Sequence, residues 1–384
     1  YKRQVTFPLM RAVSVSANWI TRRSYDLLWY VGACITSYAM IYLNVGLGVS
    51  TMMLWWIWIV SFDGPHIFAT ISRTYLDRQE WKSRTPLLLG SLLWFVLGPV
   101  VLVLSVVSSS KAPFFIFLTF AQLWAYWHVV RQHYGFMVLY QKKNDEAAGK
   151  ENFIDYWFFY IMMLAPFLSF VMRHPDARSQ VGLSLSPAAG EALVLNGLHA
   201  IIFAVIVLYA GKQILDVGAG RRLNLPKNLF FLACMPLHMV IFLHPYISTQ
   251  IDIRLFTVFV TVYHNIQYHG IVWFYNRNRY AADDGAQEFG LASKVSRSFV
   301  TYYVAGILFT LVYRYADWTF IGAMVPFGIG PNVVSEFPLG SLFSISDLAI
   351  GFWWGFAFNH YYLDQKIWKV SKDRRLNKDL KLET

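Results

Sequence analysis

Residues 113–140 read PFFIFLTFAQLWAYWHVVRQHYGFMVLY, and this stretch indicates both the fold and the chemistry of the chain. Its apolar length exceeds the about 20 residues that an α-helix needs to cross the hydrocarbon core of a membrane. Its second half nevertheless carries His128, Arg131 and His133. An ionisable side chain inside a membrane span is costly and marks a candidate functional position. The stretch therefore predicts a membrane helix that contributes side chains to a site.

The composition of the whole chain agrees with a membrane protein. Of the 384 residues, 56% are hydrophobic and only 14% are charged, whereas a soluble domain carries about a quarter charged residues. The net charge of +11 does not indicate nucleic-acid binding, because the basic residues cluster at the ends of apolar segments. Two cysteines, Cys34 and Cys234, lie in apolar stretches, so neither a disulfide framework nor a thiolate metal site is predicted.

On this length scale the sequence predicts an all-α fold, a polytopic transmembrane helical bundle of about ten spans. We treat residues 1–384 as a single integral membrane domain with a short leader, 1–26, and a basic tail, 366–384. The predicted spans are residues 27–47, 50–73, 86–109, 113–140, 153–172, 192–211, 228–246, 253–275, 298–318 and 342–365.

Lysine and arginine predict the orientation of these spans. The leader, every second connection and the tail are rich in both residues, as in the connection 141–152, whereas the intervening connections, such as 44–50, are poorer in them. Because cytoplasmic loops carry the excess of positive charge, both termini are predicted to be cytoplasmic. A bacterial inner membrane is the expected location.

Six histidines fall on four spans that all run from outside to inside in this topology. They are His66 on the second span, His128 and His133 on the fourth, His264 and His269 on the eighth, and His360 on the tenth. On each of the four spans one histidine precedes the first cytoplasmic cation by six to nine residues, which is ~9–14 Å along a helix. Chance placement would scatter them, so the sequence predicts that the imidazoles share one slab of the membrane.

The spacing of these histidines leaves two arrangements open. Both the fourth and the eighth span contain H-x4-H, and residues five apart point about 140° away from each other on a helix. Either a π-bulge brings the two rings of a pair together or each ring has a different role. Asp63 with His66 and His360 with Asp364 each share a helix face, and Gly64-Pro65 predicts a kink beside His66.

Imidazole and carboxylate groups without thiolate suit iron, zinc, copper or manganese. The predicted metal ligands, sufficient for one or two ions, are His66, His128, His133, His264, His269, His360, Asp63 and Asp364. Polar neighbours that are predicted to orient these ligands or to contact a substrate are Arg131, Gln132, Asn265, Gln267, Tyr268 and Asn359. A histidine-rich, carboxylate-poor site within the bilayer favours non-haem iron, and the sequence does not indicate which group acts as a catalytic residue.

The pattern of six histidines resembles that of histidine-rich integral membrane oxygenases. These comprise the fatty-acid desaturase, hydroxylase and alkane hydroxylase group and the bacterial carotene-cleaving (Brp/Blh-type) proteins. The chain has no H-x2–3-H-H box of the desaturase kind, so the carotene-cleaving proteins are the nearer comparison. The resemblance implies a non-haem iron oxygenase that acts on a lipid, an isoprenoid or a carotenoid.

Two other functions remain open from the sequence. The histidine pairs could bind haem in a structural or electron-transfer subunit of a larger membrane complex, or they could form the relay of a proton or ion transporter. The chain contains no ferredoxin, flavin or nucleotide motif, so the reductant of an oxygenase would come from an external electron donor.

Overall fold

A computed structural model of the chain describes residues 13–184, 190–280, 288–314, 338–339, 342–370 and 372–382. Residues 1–12 of the predicted leader, 315–318 at the end of the ninth predicted span, 319–337 of the connection after it, and 371, 383 and 384 of the predicted tail lie outside these ranges. The described residues are mostly helical, and their strands are only two residues long. The predicted all-α class is confirmed.

The first half of the chain forms helices joined by short turns. They are α1 (Arg23–Asp26), α2 (Cys34–Ile41), α3 (Thr51–Trp58), α4 (Gly64–Arg73), α5 (Arg78–Ser91), α6 (Trp94–Val107), α7 (Ala112–Lys143) and α8 (Phe153–Arg173). Wider π-helical turns at Leu27–Val31, Tyr42–Gly46 and Ile59–Asp63 extend α1, α2 and α3, and a 3-10 turn at Gly149–Glu151 precedes α8.

The second half continues in the same way. Its helices are α9 (Pro175–Gln180), α10 (Glu191–Gly218), α11 (Leu225–Leu243), α12 (Ile247–Gln250), α13 (Ile253–Arg279), α14 (Leu291–Val295), α15 (Phe299–Tyr313), α16 (Ile345–Ile367) and α17 (Arg374–Asp379). Strand β1 (Val15–Ser16) pairs in parallel with β2 (Leu223–Asn224), and β3 (Pro338–Leu339) pairs antiparallel with β4 (Phe343–Ser344).

Each predicted span contains a helix, and some of these helices are long and apolar enough to cross a membrane. Among the described residues, the helical stretches long and apolar enough are Arg23–Gly46, Arg78–Val107, Ala112–Lys143, Phe153–Arg173, Glu191–Gly218 and Leu225–Leu243. Helix α15 is apolar but has only 15 residues. The other predicted spans, containing α3–α4, α13 and α16, carry polar side chains that lower their hydropathy. By their length and composition, the six stretches from Arg23–Gly46 to Leu225–Leu243 identify the chain as an integral membrane protein.

Helix α13 is deeply buried in the bundle and packs against α2, α3, α4, α7 and α11. Its buried residues include imidazole and amide side chains as well as apolar ones. Polar groups at membrane depth are tolerated where neighbouring helices cover them. The burial of α13 therefore explains how a helix of low hydropathy can lie inside the bundle.

Close helix contacts at glycine bring the site-bearing helices together. A Cβ atom on Gly98 of α6 would lie 2.1 Å from the carbonyl oxygen of Gly351 on α16. A Cβ on Gly64 of α4 would lie 2.0 Å from the Thr310 hydroxyl of α15. Only residues without a side chain permit such approach, as is common where membrane helices pack without a strong hydrophobic driving force.

Candidate metal centre

Four imidazoles from four different helices meet inside the bundle. His66 of α4, His128 of α7, His264 of α13 and His360 of α16 are each at most 5% exposed. The ring centroid of His66 lies 4.4 Å from that of His360 and 4.9 Å from that of His264. The His128 ring lies 4.7 Å from His360 and 5.2 Å from His264. We call these four residues the imidazole cluster.

The cluster contains nitrogen atoms that have no hydrogen-bond partner. Within the described part of the chain, both ring nitrogens of His66, Nε2 of His128, Nδ1 of His264 and Nε2 of His360 are buried and unpaired. Buried polar atoms in folded proteins are nearly always hydrogen-bonded, and each unsatisfied one costs about 1–3 kcal/mol. A metal ion bound by these atoms would remove that penalty, so the donor set fits a transition metal.

The distances define two overlapping ligand sets. The ligand atoms of His66, His128 and His264 lie within 4.8 Å of one another, and so do those of His128, His360 and Asp364. His128 belongs to both sets. The donors are imidazole and carboxylate groups alone, which agrees with the chemistry expected from the sequence.

A proline and a π-helical turn directly precede His66. Pro65 has no N–H to donate to the carbonyl group of Ser61 four residues earlier, and the preceding turn, Ile59–Asp63, widens into a π-helix. The Tyr303 hydroxyl of α15 donates a hydrogen bond to the Ser61 carbonyl oxygen instead. The chain therefore departs from regular α-helical geometry at the position where Gly64-Pro65 predicted a kink. Such π-helical turns are frequent at functional sites.

A buried hydrogen-bond network orients His360. The hydroxyl groups of Thr70 and Tyr268 donate to Oδ1 of Asp364 at 2.8 and 2.7 Å. Since the Thr70 hydroxyl has a single proton, it accepts the hydrogen bond from Nδ1 of His360, 2.7 Å away. Nε2 of His360 then carries the lone pair within the cluster, as is usual for a metal-binding imidazole with its second nitrogen held by a hydrogen bond.

His133 and His269 lie beside the cluster rather than within it. Among the described residues, neither belongs to a ligand set whose atoms lie within 4.8 Å of one another. The ring of His133 is 6.1 Å from that of His264, and the ring of His269 is 6.5 Å from that of His66. Nδ1 of His133 bonds to the Val129 carbonyl oxygen and Nδ1 of His269 to the Tyr302 hydroxyl, and both Nε2 atoms are buried without a partner.

In each H-x4-H pair the two rings therefore have different roles, which is the second of the two arrangements that their spacing allowed. Helices α7 and α13 remain regular α-helices at these positions. Their first histidines, His128 and His264, belong to the cluster, while the second ones, His133 and His269, face neighbouring helices.

The structure does not bring Asp63 to the imidazole cluster. Asp63 lies at the end of the π-helical turn and its carboxylate pairs with the Arg314 guanidinium at 3.6 Å. Both residues line the cavity described below.

Three of the predicted polar neighbours lie near the cluster. Tyr268 belongs to the His360 network and its ring lies 4.6 Å from that of His66. Gln132 donates to the backbone carbonyl oxygen of His264 at 3.0 Å, so it supports the backbone of α13 rather than the ring. Asn265 lines the cavity, and its side-chain nitrogen is buried without a partner.

The other three predicted neighbours bond elsewhere. Gln267 donates to the Tyr30 carbonyl oxygen, 2.7 Å away, and Asn359 donates to the Tyr75 hydroxyl at 2.7 Å. Arg131 is exposed and bonds to Tyr160. Asn359 is adjacent to His360, and Gln267 and Arg131 are each two residues from a histidine. Since each step along a helix turns the side chain by about 100°, all three point away from the histidine beside them.

Two cluster partners were missed by the sequence reasoning. Thr70 follows His66 by four residues and so lies on the same helix face, which is the only signal that could have identified it. The Tyr361 ring stacks on His128 at 4.4 Å and 25°, and no sequence pattern indicated that contact. A further buried histidine, His238 of α11, hydrogen-bonds to the Tyr126 and Tyr263 hydroxyls through its two nitrogens.

An apolar cavity leads to the imidazole cluster. It has a volume of about 590 Å³, and all four cluster imidazoles line it. From Ile253 at the start of α13 it reaches His264, which is ~16 Å along the helix. Aromatic side chains such as Trp58, Phe167 and Trp354 form its walls. The volume lies within the range of cavities that bind small molecules.

Fold and site together define an integral membrane protein with a buried imidazole cluster at the end of an apolar cavity. Comparison of the chain with protein-family models, with curated proteins and with solved structures finds no match.

Proposed function

We propose that the protein is a membrane-embedded metal oxygenase whose ion is bound by the imidazole cluster. The observation that supports this most directly is the set of buried ring nitrogens without hydrogen-bond partners on four converging helices. In the proposed site His66, His128, His264 and His360 are the ligands. Asp364 acts through Thr70 to orient His360, because its Oδ1 already accepts two hydrogen bonds.

Non-haem iron is the proposed ion. A nitrogen-rich set without thiolate suits iron among the first-row metals, and an apolar cavity supports a substrate that partitions into the membrane. When bound, iron supplies the redox chemistry for oxidation of that substrate. The chain itself contributes converging imidazole ligands, one of which (His360) is held by a buried hydrogen bond, and aromatic walls that position the substrate.

The substrate in this proposal is a lipid, an isoprenoid or a carotenoid. The aromatic walls and the length of the cavity along α13 favour an extended apolar molecule. Electrons would come from an external donor or from a larger membrane complex, since the sequence contains no motif for a redox cofactor.

We also propose the complete topology of about ten spans with both termini in the cytoplasm of a bacterial cell, in the inner membrane. The helices coincide with the predicted spans, and alternate connections are basic. The buried position of α13 supports counting it as a span despite its polar residues.

Haem is a weaker candidate because the cluster rings are crowded. The four ring pairs with centroids 4.4–5.2 Å apart are inclined at 53–86°. A planar macrocycle between any such pair would displace the other two rings. A histidine relay for ions remains the alternative if no metal is present.

Metal analysis of the purified full-length protein, combined with an optical spectrum, tests the proposal. We expect near-stoichiometric iron, and we expect His128→Ala and His264→Ala to lose it. His199→Ala is the matched control, since His199 is exposed on α10 and bonds only to Ser169 among the described contacts. A folded protein free of transition metal, or a haem Soret band, would count against the assignment. Twice the iron would indicate that the second ligand set, His128, His360 and Asp364, also binds an ion.

A further inference from the structure

Arg131 is a cation on the outer surface of the helical bundle, far from the ends of its helix. It is exposed on α7, 19 residues after Ala112 and 12 before Lys143. Its guanidinium donates to the Tyr160 hydroxyl at 2.6 Å and lies 4.7 Å from the centre of the Tyr134 ring. Within the described residues it forms no ion pair. A charge facing lipid without a counter-charge is unfavourable, so its surroundings should supply an anion.

A pocket between α7 and α8 surrounds this arginine. Its volume is about 490 Å³, and Arg131 and Lys150 are the charged residues among those that line it. No carboxylate lies on its wall in the described part of the chain. Lys150 is exposed on the 3-10 turn Gly149–Glu151, and it too has no ion-pair partner among the described residues. The pocket is therefore electrostatically complementary to a negative group.

The pocket also changes in polarity along its length. Lys150 precedes α8, whereas Trp157 and Leu164 lie about one and three turns into that helix. The exposed ring of Trp127 lies on α7, one turn before Arg131. Cations at the connection and apolar side chains further along the helices are the arrangement that an amphiphile with a negative head group requires.

We propose that this pocket binds one anionic phospholipid, whose phosphate lies between Arg131 and Lys150 and whose acyl chain follows Trp127 and Leu164. The basic connection 141–152 places the head group at the surface that we assign to the cytoplasm. Arg131 offers a forked donor to phosphate oxygens, and Trp and Tyr rings favour the head-group region of a bilayer. This site is separate from the imidazole cluster and does not depend on a bound metal.

Fatty acids and inorganic phosphate present the same oxyanion chemistry. Inorganic phosphate lacks a chain to occupy the apolar part of the pocket. A fatty acid has that chain, but its single carboxylate lacks the phosphodiester and glycerol groups that the tyrosines of the pocket can contact. The geometry favours the phospholipid, and the experiment compares all three.

Native mass spectrometry of the full-length protein in detergent measures this binding. Separate titrations would use phosphatidylglycerol, phosphatidylcholine, oleate and inorganic phosphate. We expect phosphatidylglycerol to bind most tightly, Lys150→Gln to weaken it about fivefold, since a cation near a lipid surface contributes about that factor, and Arg131→Gln to weaken it more. Arg222→Gln, an exposed cation outside the pocket, should leave affinity unchanged.

Several results would overturn the proposal. Equal binding of phosphatidylglycerol and phosphatidylcholine would show that the head-group charge is irrelevant. Equal affinity in the native chain and in both pocket variants would place the lipid elsewhere. Oleate or phosphate binding as tightly as phosphatidylglycerol would assign the pocket to that ligand. Should Arg131→Gln fail to fold, Lys150→Gln decides the question, because Lys150 is exposed on a surface turn.

Discussion

Replacing Thr70 by valine tests whether the hydrogen-bond network behind His360 controls the metal site. Valine has nearly the same shape as threonine but no hydroxyl. In the native chain that hydroxyl accepts from Nδ1 of His360 at 2.7 Å and donates to Asp364 at 2.8 Å. Tyr268 keeps its own bond to Asp364 in the variant, at 2.7 Å in the native structure. The change therefore removes the orientation of one imidazole and leaves the carboxylate partly satisfied.

The structure sets the size of the effect. Nδ1 of His360 loses its only hydrogen-bond partner, and an unsatisfied buried polar group costs about 1–3 kcal/mol. Groups that orient metal ligands contribute about 10–100-fold to metal affinity, which equals about 1.4–2.7 kcal/mol. The first cost lowers the stability of the fold with or without the ion, and the second lowers the affinity for the ion. We therefore expect Thr70→Val to bind iron about 10–100-fold more weakly while the chain still folds.

Competition between the apo-protein and a coloured iron chelator measures this affinity. Thr70→Ser is the matched control, because it keeps the hydroxyl group and should retain nearly all of the affinity. The thermal unfolding midpoint of each variant separates a local effect from loss of the fold. If Thr70→Val binds iron as tightly as the native chain while His360→Ala loses it, the network does not orient His360 and the reasoning is wrong.

Two further predictions concern the fold. Gly98→Ala should destabilise the α6–α16 contact by about 1–3 kcal/mol, because its Cβ would lie 2.1 Å from the Gly351 carbonyl oxygen. Gly90→Ala is the control, since a Cβ at Gly90 would have no atom within 4 Å. Equal thermal unfolding midpoints of the two variants would contradict the prediction. Burial alone would raise the pKa of Asp373, but a backbone N–H of α17 and the Arg84 guanidinium, 2.7 Å away, hold that pKa below its ordinary value. A lowered pKa gives stability that is present above the ordinary value of about 4 and is lost as the pH falls below it. Hydrogen exchange of α17, corrected for intrinsic rates, should therefore rise in acid in the native chain. In Asp373→Ala, which loses the N-cap acceptor, it should be fast at both pH values. Acid-insensitive exchange in the native chain would refute this.

The positions of the helices could be predicted because they depend on local properties of the chain. An apolar segment of sufficient length must satisfy its own backbone hydrogen bonds, and a helix does so within the segment. Every predicted span accordingly contains helix. Hydropathy was the weakest basis for the prediction of spans at α13 and α16, because these helices carry the polar side chains of the site. Other helices bury those polar side chains, and this burial allows both helices to lie inside the bundle.

The membership of the imidazole cluster was partly predictable. Depth along a helix follows from counting residues, so the histidines of four helices could be placed at one level. Rotation about the helix axis does not follow from counting. Neither the outward direction of Arg131 nor the pairing of Asp63 with Arg314 could be read from sequence spacing.

Composition and residue spacing act along a single helix, so they suffice to predict a helical membrane protein whose imidazoles are concentrated at one depth. The packing of the helices selects which of these rings meet: His66, His128, His264 and His360 do so, while His133 and His269 lie beside them. That choice depends on the rotation and separation of whole helices. Contacts between residues far apart in the chain set both, such as Gly98 against Gly351 and the Thr70 hydroxyl against His360.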